Sequence, residues 1–189
     1  MVFQERVSTR ADLHALETLP ENAEKRFELI NGAIYEVPYP SPTHNLIIGN
    51  IYSPLRAFVK ANKLGYAFTD TVKYALPNGD DFAPDVSFIS QERAPVPLPK
   101  AFSAAPDMAV EVASSSNRER ELLDKAESLL ECGTQFVWIV YPNTQVVDVC
   151  HLAKNGGMIT YKLNVGDTLD GENVLPGFKL DVSEIFEIG

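Results

Sequence analysis

Cysteine, histidine and positive charge are all scarce in this chain. Its 189 residues hold two cysteines, Cys132 and Cys150, and three histidines. Two lone thiols supply neither a disulfide framework nor a thiolate cluster, so buried reduced cysteines are expected, and His151 beside Cys150 completes no metal spacing. No run approaches the ~20 apolar residues that span a bilayer. The opening M-V-F-Q-E-R-V-S-T-R lacks the apolar centre of a secretory signal. A soluble, cytoplasmic protein without a membrane partner is expected. Lysine and arginine number 16 against 26 acids, a net charge of -10. That deficit argues against a broad basic surface for coating nucleic acid or anionic lipid. It leaves room for a local Arg and Lys cluster, or for divalent cations screening carboxylates at a reaction centre.

What is present is ordinary globular material, 45% hydrophobic. One domain over residues 1–189 is expected, with 1–20 as a helical N-terminal extension. Ser8 or Thr9 is placed to cap a helix that stops before Pro20. R-F-E-L-I, Asn31-Gly32 and A-I-Y-E-V spell a hairpin, because an Asn-Gly pair supplies the two positive-φ positions of the tightest turns. Residues 43–61 carry Ile47, Ile51, Leu55 and Phe58 at helical spacing, with Pro54 inside. Y-A-F-T-D-T-V-K-Y-A-L and D-F-A-P-D-V-S-F-I-S predict two further strands about the Asn78-Gly79 turn. Residues 91–106, with four prolines, predict an extended loop that either covers a site as a flap or merely connects.

D-M-A-V-E-V-A then predicts a strand, S-S-S-N a cap, and residues 118–131 a helix closed by Gly133. The apolar strand Q-F-V-W-I-V-Y follows, with Trp138 as core, and a second hairpin turns at Asn155-Gly156-Gly157. The fold class is therefore α/β, a mixed sheet with flanking helices and antiparallel hairpins, whose strand-helix-strand unit should be a right-handed parallel crossover.

One strand position is out of place. Alternation sets Met108, Val110 and Val112 on one face and Ala109, Glu111 and Ala113 on the other, so a carboxylate sits between two alanines. Small neighbours leave the space that a bound ion and a substrate need. A second acid, Asp85, follows Pro84 where the next candidate strand begins. If the two strands are neighbours, Asp85, Glu111 and a main-chain carbonyl such as that of Val112 make a hard oxygen site suited to Mg²⁺. On the following helix Lys125 borders the stripe Leu122, Ala126, Leu129 and Leu130, from where an ammonium can run along the helix towards the sheet end.

P-D-V-S-F at 84–88, and P-D-M-A-V-E-V-A-S-S-S-N-R-E-R-E-L-L-D-K-A-E-S-L-L-E-C-G-T-Q-F-V-W-I-V at 106–140, carry a resemblance. With F-E-L-I-N-G at 27–32, His44 and the closing L-P-G-F, the chain resembles a large bacterial family of restriction-endonuclease-like proteins within the PD-(D/E)XK nuclease superfamily. The resemblance implies a restriction-endonuclease-like fold from about residue 20 onward and a metal-dependent endodeoxyribonuclease activity. It implies Asp85 and Glu111 as ligands of Mg²⁺, with Mn²⁺ as substitute, and DNA as substrate. The triplet Glu111-Val112-Ala113 lacks the usual lysine. Lys125 occupies the position to which that role has migrated in the resembled family, and Glu28 resembles an additional upstream acid. Tyr141 departs from the family pattern, which often has aspartate there. By analogy, pairing of two cutting centres implies a homodimer.

Each residue also has a plainer reading. Asp85 after a proline suits a turn, and Glu111 a cross-strand pair. Lys125 has an ordinary surface partner in Glu121, worth ~0.3–0.5 kcal/mol. His44 suits a cap or a surface position as well as a substrate contact, and Arg118 a solvated helix end as well as a DNA phosphate, although a cation there opposes the macrodipole. The alternative function is accordingly a catalytically silent nuclease-fold protein that binds nucleic acid or a protein partner.

Overall fold

The computed structural model describes residues 7–114 and 119–188. Thr9 caps α1 (Arg10–Glu17) by a capping box with Asp12, which satisfies two helix-end N–H groups at once. Beyond a short turn at Pro20–Asn22 come β1 (Arg26–Ile30) and β2 (Ala33–Val37), an antiparallel hairpin. Its turn residues Asn31 and Gly32 have φ of 48° and 73°, the positive-φ pair that the dipeptide predicted. Next, α2 (Pro42–Asn62) starts at Ser41, whose side chain accepts from the His44 N–H, and continues through Pro54.

The two strands predicted between residues 66 and 90 are each broken in two. They form β3 (Gly65–Thr69), β4 (Tyr74–Ala75), β5 (Asp81–Phe82) and β6 (Val86–Ser90). A tight turn, with the Thr71 N–H on the Thr69 carbonyl at 2.7 Å, interrupts the first run. Pro84, which has no N–H to give a ladder, interrupts the second. At each break the chain passes between sheets, β3 and β6 lying in one and β4 and β5 in another. Asp85 therefore stands at the threshold of β6 rather than within it.

Loop 91–106 leads to β7 (Met108–Val112), α3 (Glu119–Glu131), β8 (Phe136–Tyr141), β9 (Val146–Leu152) and β10 (Met158–Asn164). The large sheet has the order β10-β9-β8-β7-β6-β3, with β7 and β8 parallel and every other neighbour antiparallel. This is the predicted mixed α/β sheet. The small sheet has the order β2-β1-β5-β4. The C-terminal segment adds β11 (Thr168–Asp170), β12 (Lys179–Asp181) and the single turn α4 (Val182–Ile185), a pair and a helix with no counterpart in the sequence-based expectation.

The large sheet is packed on both faces. Met108, Val110, Val112, Phe136, Trp138 and Val140 meet Ile47, Ile51 and Leu55 of α2 and the C-terminal Phe178 and Ile185. On the other face Ala109, Val137 and Ile139 meet Leu122, Ala126, Leu129 and Leu130 of α3, together with Tyr74 and Phe82 of the small sheet. Each buried Leu, Ile, Val or Phe contributes about 1.5–3 kcal/mol relative to exposure. Loop 91–106 also belongs to this layer, since Phe102 and Ala105 are buried there and Phe102 stacks on Tyr74 at 5.2 Å. Cys150 is buried, Cys132 half-buried, and both are free thiols. Among the described residues no helix is long and apolar enough to cross a membrane.

Candidate active site

At the C-terminal end of β7 the two layers part and leave a cleft of about 690 Å³. Glu28, Asp85, Glu111, Val112, Lys125 and His44 all line it. The pairing of β6 with β7 runs Val86 to Val110, and one step further along that register sets Asp85 opposite Glu111. The strands are neighbours, as the convergence of the two acids requires, and both carboxylates open on the same cleft. None of the residues of loop 91–106 lines it, so that loop connects and packs rather than covering the site.

Glu111 is only 3% exposed, and its Oε2 stands 3.2 Å from the Nζ of Lys125. Lys125, itself buried, also meets Glu28 Oε2 at 2.7 Å and lies 5.4 Å from the centroid of the Phe82 ring. Glu28 is held in turn by the Ala83 N–H, which donates to its Oε1. The lysine thus turns inward to two acids on two sheets, and the surface pairing with Glu121 is not what fixes it. Burying an ion pair costs several kcal/mol of desolvation per ion, which close geometry and further hydrogen bonds offset. A ring face beneath the ammonium adds to that offset.

Asp85 is fixed on its other side. Its Oδ2 accepts from the Val112 N–H at 2.7 Å, which extends the β6–β7 contact past the last ladder pair. The turn reading of Asp85 is therefore overtaken by a cross-strand role. His44, from the first turn of α2, brings Nε2 to 3.0 Å from the Val112 carbonyl and 3.5 Å from Asp85 Oδ2. Ser41 accepts from its main-chain N–H, and its side chain is neither a cap nor on the surface, being 11% exposed. The sequence carried that signal: His44, Ile47, Ile51 and Leu55 lie on one helical stripe, the buried one. Arg118 lies outside the described residues.

The electrostatics are dominated by an excess of acid. Three carboxylates, Glu28, Asp85 and Glu111, face the single ammonium of Lys125. Burial drives Glu111 up to about 8; the neighbouring charge of Lys125 opposes this, while those of Asp85 and Glu28 reinforce it. Burial works against the charge of Lys125 too, but Glu111 and Glu28 outweigh it and raise its pKa. The same balance holds for His44, where Asp85, the Val112 carbonyl and Glu111 prevail over burial and raise the imidazole. The cluster therefore retains protons that free side chains would release. A site that does so is short of positive charge, and a divalent cation is one group that supplies it.

Do the residues fit such an ion? Asp85 and Glu111 supply carboxylate oxygens and Val112 a carbonyl, the hard donor set that Mg²⁺ and Mn²⁺ take. Glu111 Oε1 is buried without a hydrogen-bond partner, a carboxylate oxygen directed at nothing in the protein. That orphaned donor and the charge deficit both fit. Among the described residues, however, no three His, Cys, Asp or Glu side chains already stand as a ligand cluster. Two carboxylates and a main-chain oxygen form the donor set, and Glu111 leans towards Lys125.

The sequence matches the Uma2 family, described as "Putative restriction endonuclease", over residues 10–183. Among solved structures it is similar to one titled a putative nuclease belonging to DUF820 from Anabaena variabilis. The two are 21% identical and superpose with a TM-score of 0.80, covering 94% of this chain and 97% of that one. At that identity the likeness is one of fold. No curated protein matches the chain.

Proposed function

The chain belongs to the Uma2 family, and from that premise we propose that it is a divalent-metal-dependent endonuclease that hydrolyses DNA phosphodiester bonds. The observation that carries the proposal is the convergence of Asp85, Glu111 and the Val112 carbonyl on one cleft, with the Lys125 ammonium against Glu111. Asp85, Glu111 and Val112 would hold Mg²⁺, or Mn²⁺ in its place. Such an ion activates a water and neutralises charge on the phosphodiester.

The residues of the chain account for the rest. Lys125, held by Glu28 at 2.7 Å and by Glu111 at 3.2 Å, acts by stabilising negative charge on the attacked phosphate or by accepting the water's proton. Glu28 is a positioning residue, since its 2.7 Å contact fixes the lysine head. Hydrolysis adds water across one P–O bond: the water oxygen bonds to phosphorus, and the departing sugar oxygen takes up a proton. Two such centres in a homodimer would serve two strands.

The test is cleavage of plasmid and single-stranded DNA with Mg²⁺ or Mn²⁺ by the wild type and by Asp85→Ala, Glu111→Gln and Lys125→Ala. Cleavage by wild type, lost in the first two variants, is the expected result. A second reading, a catalytically silent nuclease fold that binds nucleic acid or a protein partner, gains support for its protein-partner form from the acidic cleft wall, which repels a phosphate backbone. Glu36, Asp70 and Glu121 line it besides the inner acids, and its one other cation among the described residues, Arg26, is paired with Asp70 at 3.0 Å. Wild type that leaves DNA strands unchanged under every metal would favour that reading.

A further inference from the structure

We infer that Tyr39 and Tyr35 form a stacking platform for unpaired bases, and that the substrate of this site is single-stranded DNA rather than intact duplex. The inference rests on the proposed nuclease reading and adds to it a substrate class and the residues that select it. It starts from charge. The lysine and arginine that line the cleft among the described residues are both engaged by acids. Glu28 and Glu111 hold Lys125, while Asp70 holds Arg26 through its carboxylate at 3.0 Å and its carbonyl at 2.9 Å. Non-specific binding of DNA draws on cations laid along the backbone, and duplex carries one negative charge per about 1.7 Å of axis, twice the density of one strand. A wall bearing Glu36 and Glu121 therefore repels duplex more than it repels a single strand. Something other than backbone charge has to hold a strand here.

Aromatic rings are what the cleft offers instead. Tyr39, in the segment 38–41 between β2 and α2, lines the cleft while 76% exposed. A lone exposed ring is ordinary, but this one is also tied down. Its hydroxyl donates to the Glu24 carbonyl at 2.7 Å, which fixes the polar tip on the main chain and leaves the ring in water. Pro38 and Pro40 on either side, each with a restricted φ, limit the conformations of the segment. A ring held in place has little conformational entropy left to lose when a flat partner arrives. Tyr35 continues the line inward. It is half-buried on the cleft wall and sits opposite Glu28 across the hairpin. Four steps of extended chain, about 13 Å, separate the two tyrosines, so the pair leads from the cleft mouth towards the acid that holds Lys125. A base inside a duplex has its faces covered by its neighbours, whereas an unpaired base has a face to lay on a ring. Glu111, 3% exposed, likewise asks for a strand supple enough to bring its phosphate inward.

The experiment is fluorescence anisotropy of a labelled DNA oligonucleotide with the full chain, in single-stranded and duplex form, with and without Ca²⁺. Wild type is expected to bind the single strand ~10-fold or more tighter than the duplex, the size of one stacked base. Tyr39→Ala should weaken the single strand by about 5- to 150-fold, the range for one lost base-on-ring contact. Tyr39→Phe, which keeps the ring, should stay near wild type, and Tyr39→Leu, apolar without a ring face, should fall with alanine. The slope of log affinity against log salt should be about -0.7 to -1.4, one or two phosphates, and unchanged in Tyr39→Ala because no charge is removed. In cleavage of the single strand with Mg²⁺ or Mn²⁺ the loss should fall on KM and spare kcat. Thermal unfolding establishes that the variants fold. Affinity unchanged in Tyr39→Ala, a leucine variant that binds like wild type, or duplex bound as tightly as the single strand overturns the inference, and cleavage of plasmid in the same preparation leaves the nuclease reading standing. Single-strand binding that Tyr39→Ala abolishes, without cleavage under any metal, keeps the platform and retires the nuclease. Wild type that neither binds nor cuts DNA overturns both.

Discussion

The two faces of β7 have opposite chemistry, although they share five residues of backbone. On the α2 face the side chains of Met108, Val110 and Val112 are at most 1% exposed and belong to the apolar cluster that holds Ile47, Ile51 and Leu55. On the α3 face Ala109 is equally buried, but the next residue on that side is Glu111, held by Lys125 and, through it, by Glu28. The first face is stabilising because it repeats one kind of contact. The second is stable only as long as each charge keeps its partner, and it leaves one carboxylate oxygen unmatched. Adjacent positions on one strand thus separate what the fold requires from what the proposed reaction requires.

The sharpest way to separate them is Glu111→Gln. On the proposed mechanism it should lower DNA cleavage by about 10³-fold or more, roughly 4 kcal/mol of transition-state free energy. Folding should survive, because the amide fills the same space without a buried charge. Circular dichroism and a cleavage time course on the same preparation check both halves. Cleavage unchanged in this variant would remove the α3 face from the chemistry.

Lys125→Ala tests the same face for stability. Removing one partner from a buried ionic cluster leaves charge uncompensated and typically costs about 3–5 kcal/mol. Urea unfolding at pH 7 should show that loss in the midpoint. The double variant Lys125→Ala with Glu28→Gln should recover part of it, because one stranded carboxylate is gone. A loss under ~0.5 kcal/mol would mean that the cluster behaves as a surface pair.

How far the sequence revealed this arrangement follows from the range of the interactions concerned. Alternation around Glu111, the Asn31-Gly32 turn and the helix ended by Gly133 are local, and each was legible because its cause lies within a few residues. Lys125 was legible as a lysine beside an apolar stripe. Its partner Glu28 lies 97 positions away on another sheet, and only a family resemblance pointed to it. The breaks at Thr71 and Pro84 were missed because β-propensity continues across them, while the exchange between two sheets is a tertiary event. His44 reads as a cap, a surface residue or a substrate contact at a helix start, and its place on the Ile47–Leu55 stripe, visible in the same residues, is what carries its ring inward.

On the apolar face, Met108→Ala is the matching perturbation. The side chain is fully buried, so its truncation should cost about 2–5 kcal/mol, the usual range for Met to Ala in a core. Any loss of cleavage should follow from unfolding alone, and return at lower temperature where the variant is folded. A folded Met108→Ala protein that no longer cuts would break the division between the two faces.

The gentlest perturbation is pH. Glu111 in the folded protein is raised to about 8 from an ordinary 4.5, so folding takes up a proton between those values. For a group with a raised folded pKa, the associated stability is complete below the unfolded value and is lost as pH climbs through the folded one. Wild type should therefore lose stability between about pH 4.5 and 8, with a slope of at most about 1.4 kcal/mol per pH unit for one proton. His44, also raised, adds a contribution of the same sign. The comparison that isolates Glu111 is the difference between wild type and Glu111→Gln across that window by urea titration, because the histidine is common to both. Parallel curves would place the extra proton elsewhere in the cluster. Added Mn²⁺ should flatten the wild-type slope, because the cation takes over the charge compensation that the proton provides.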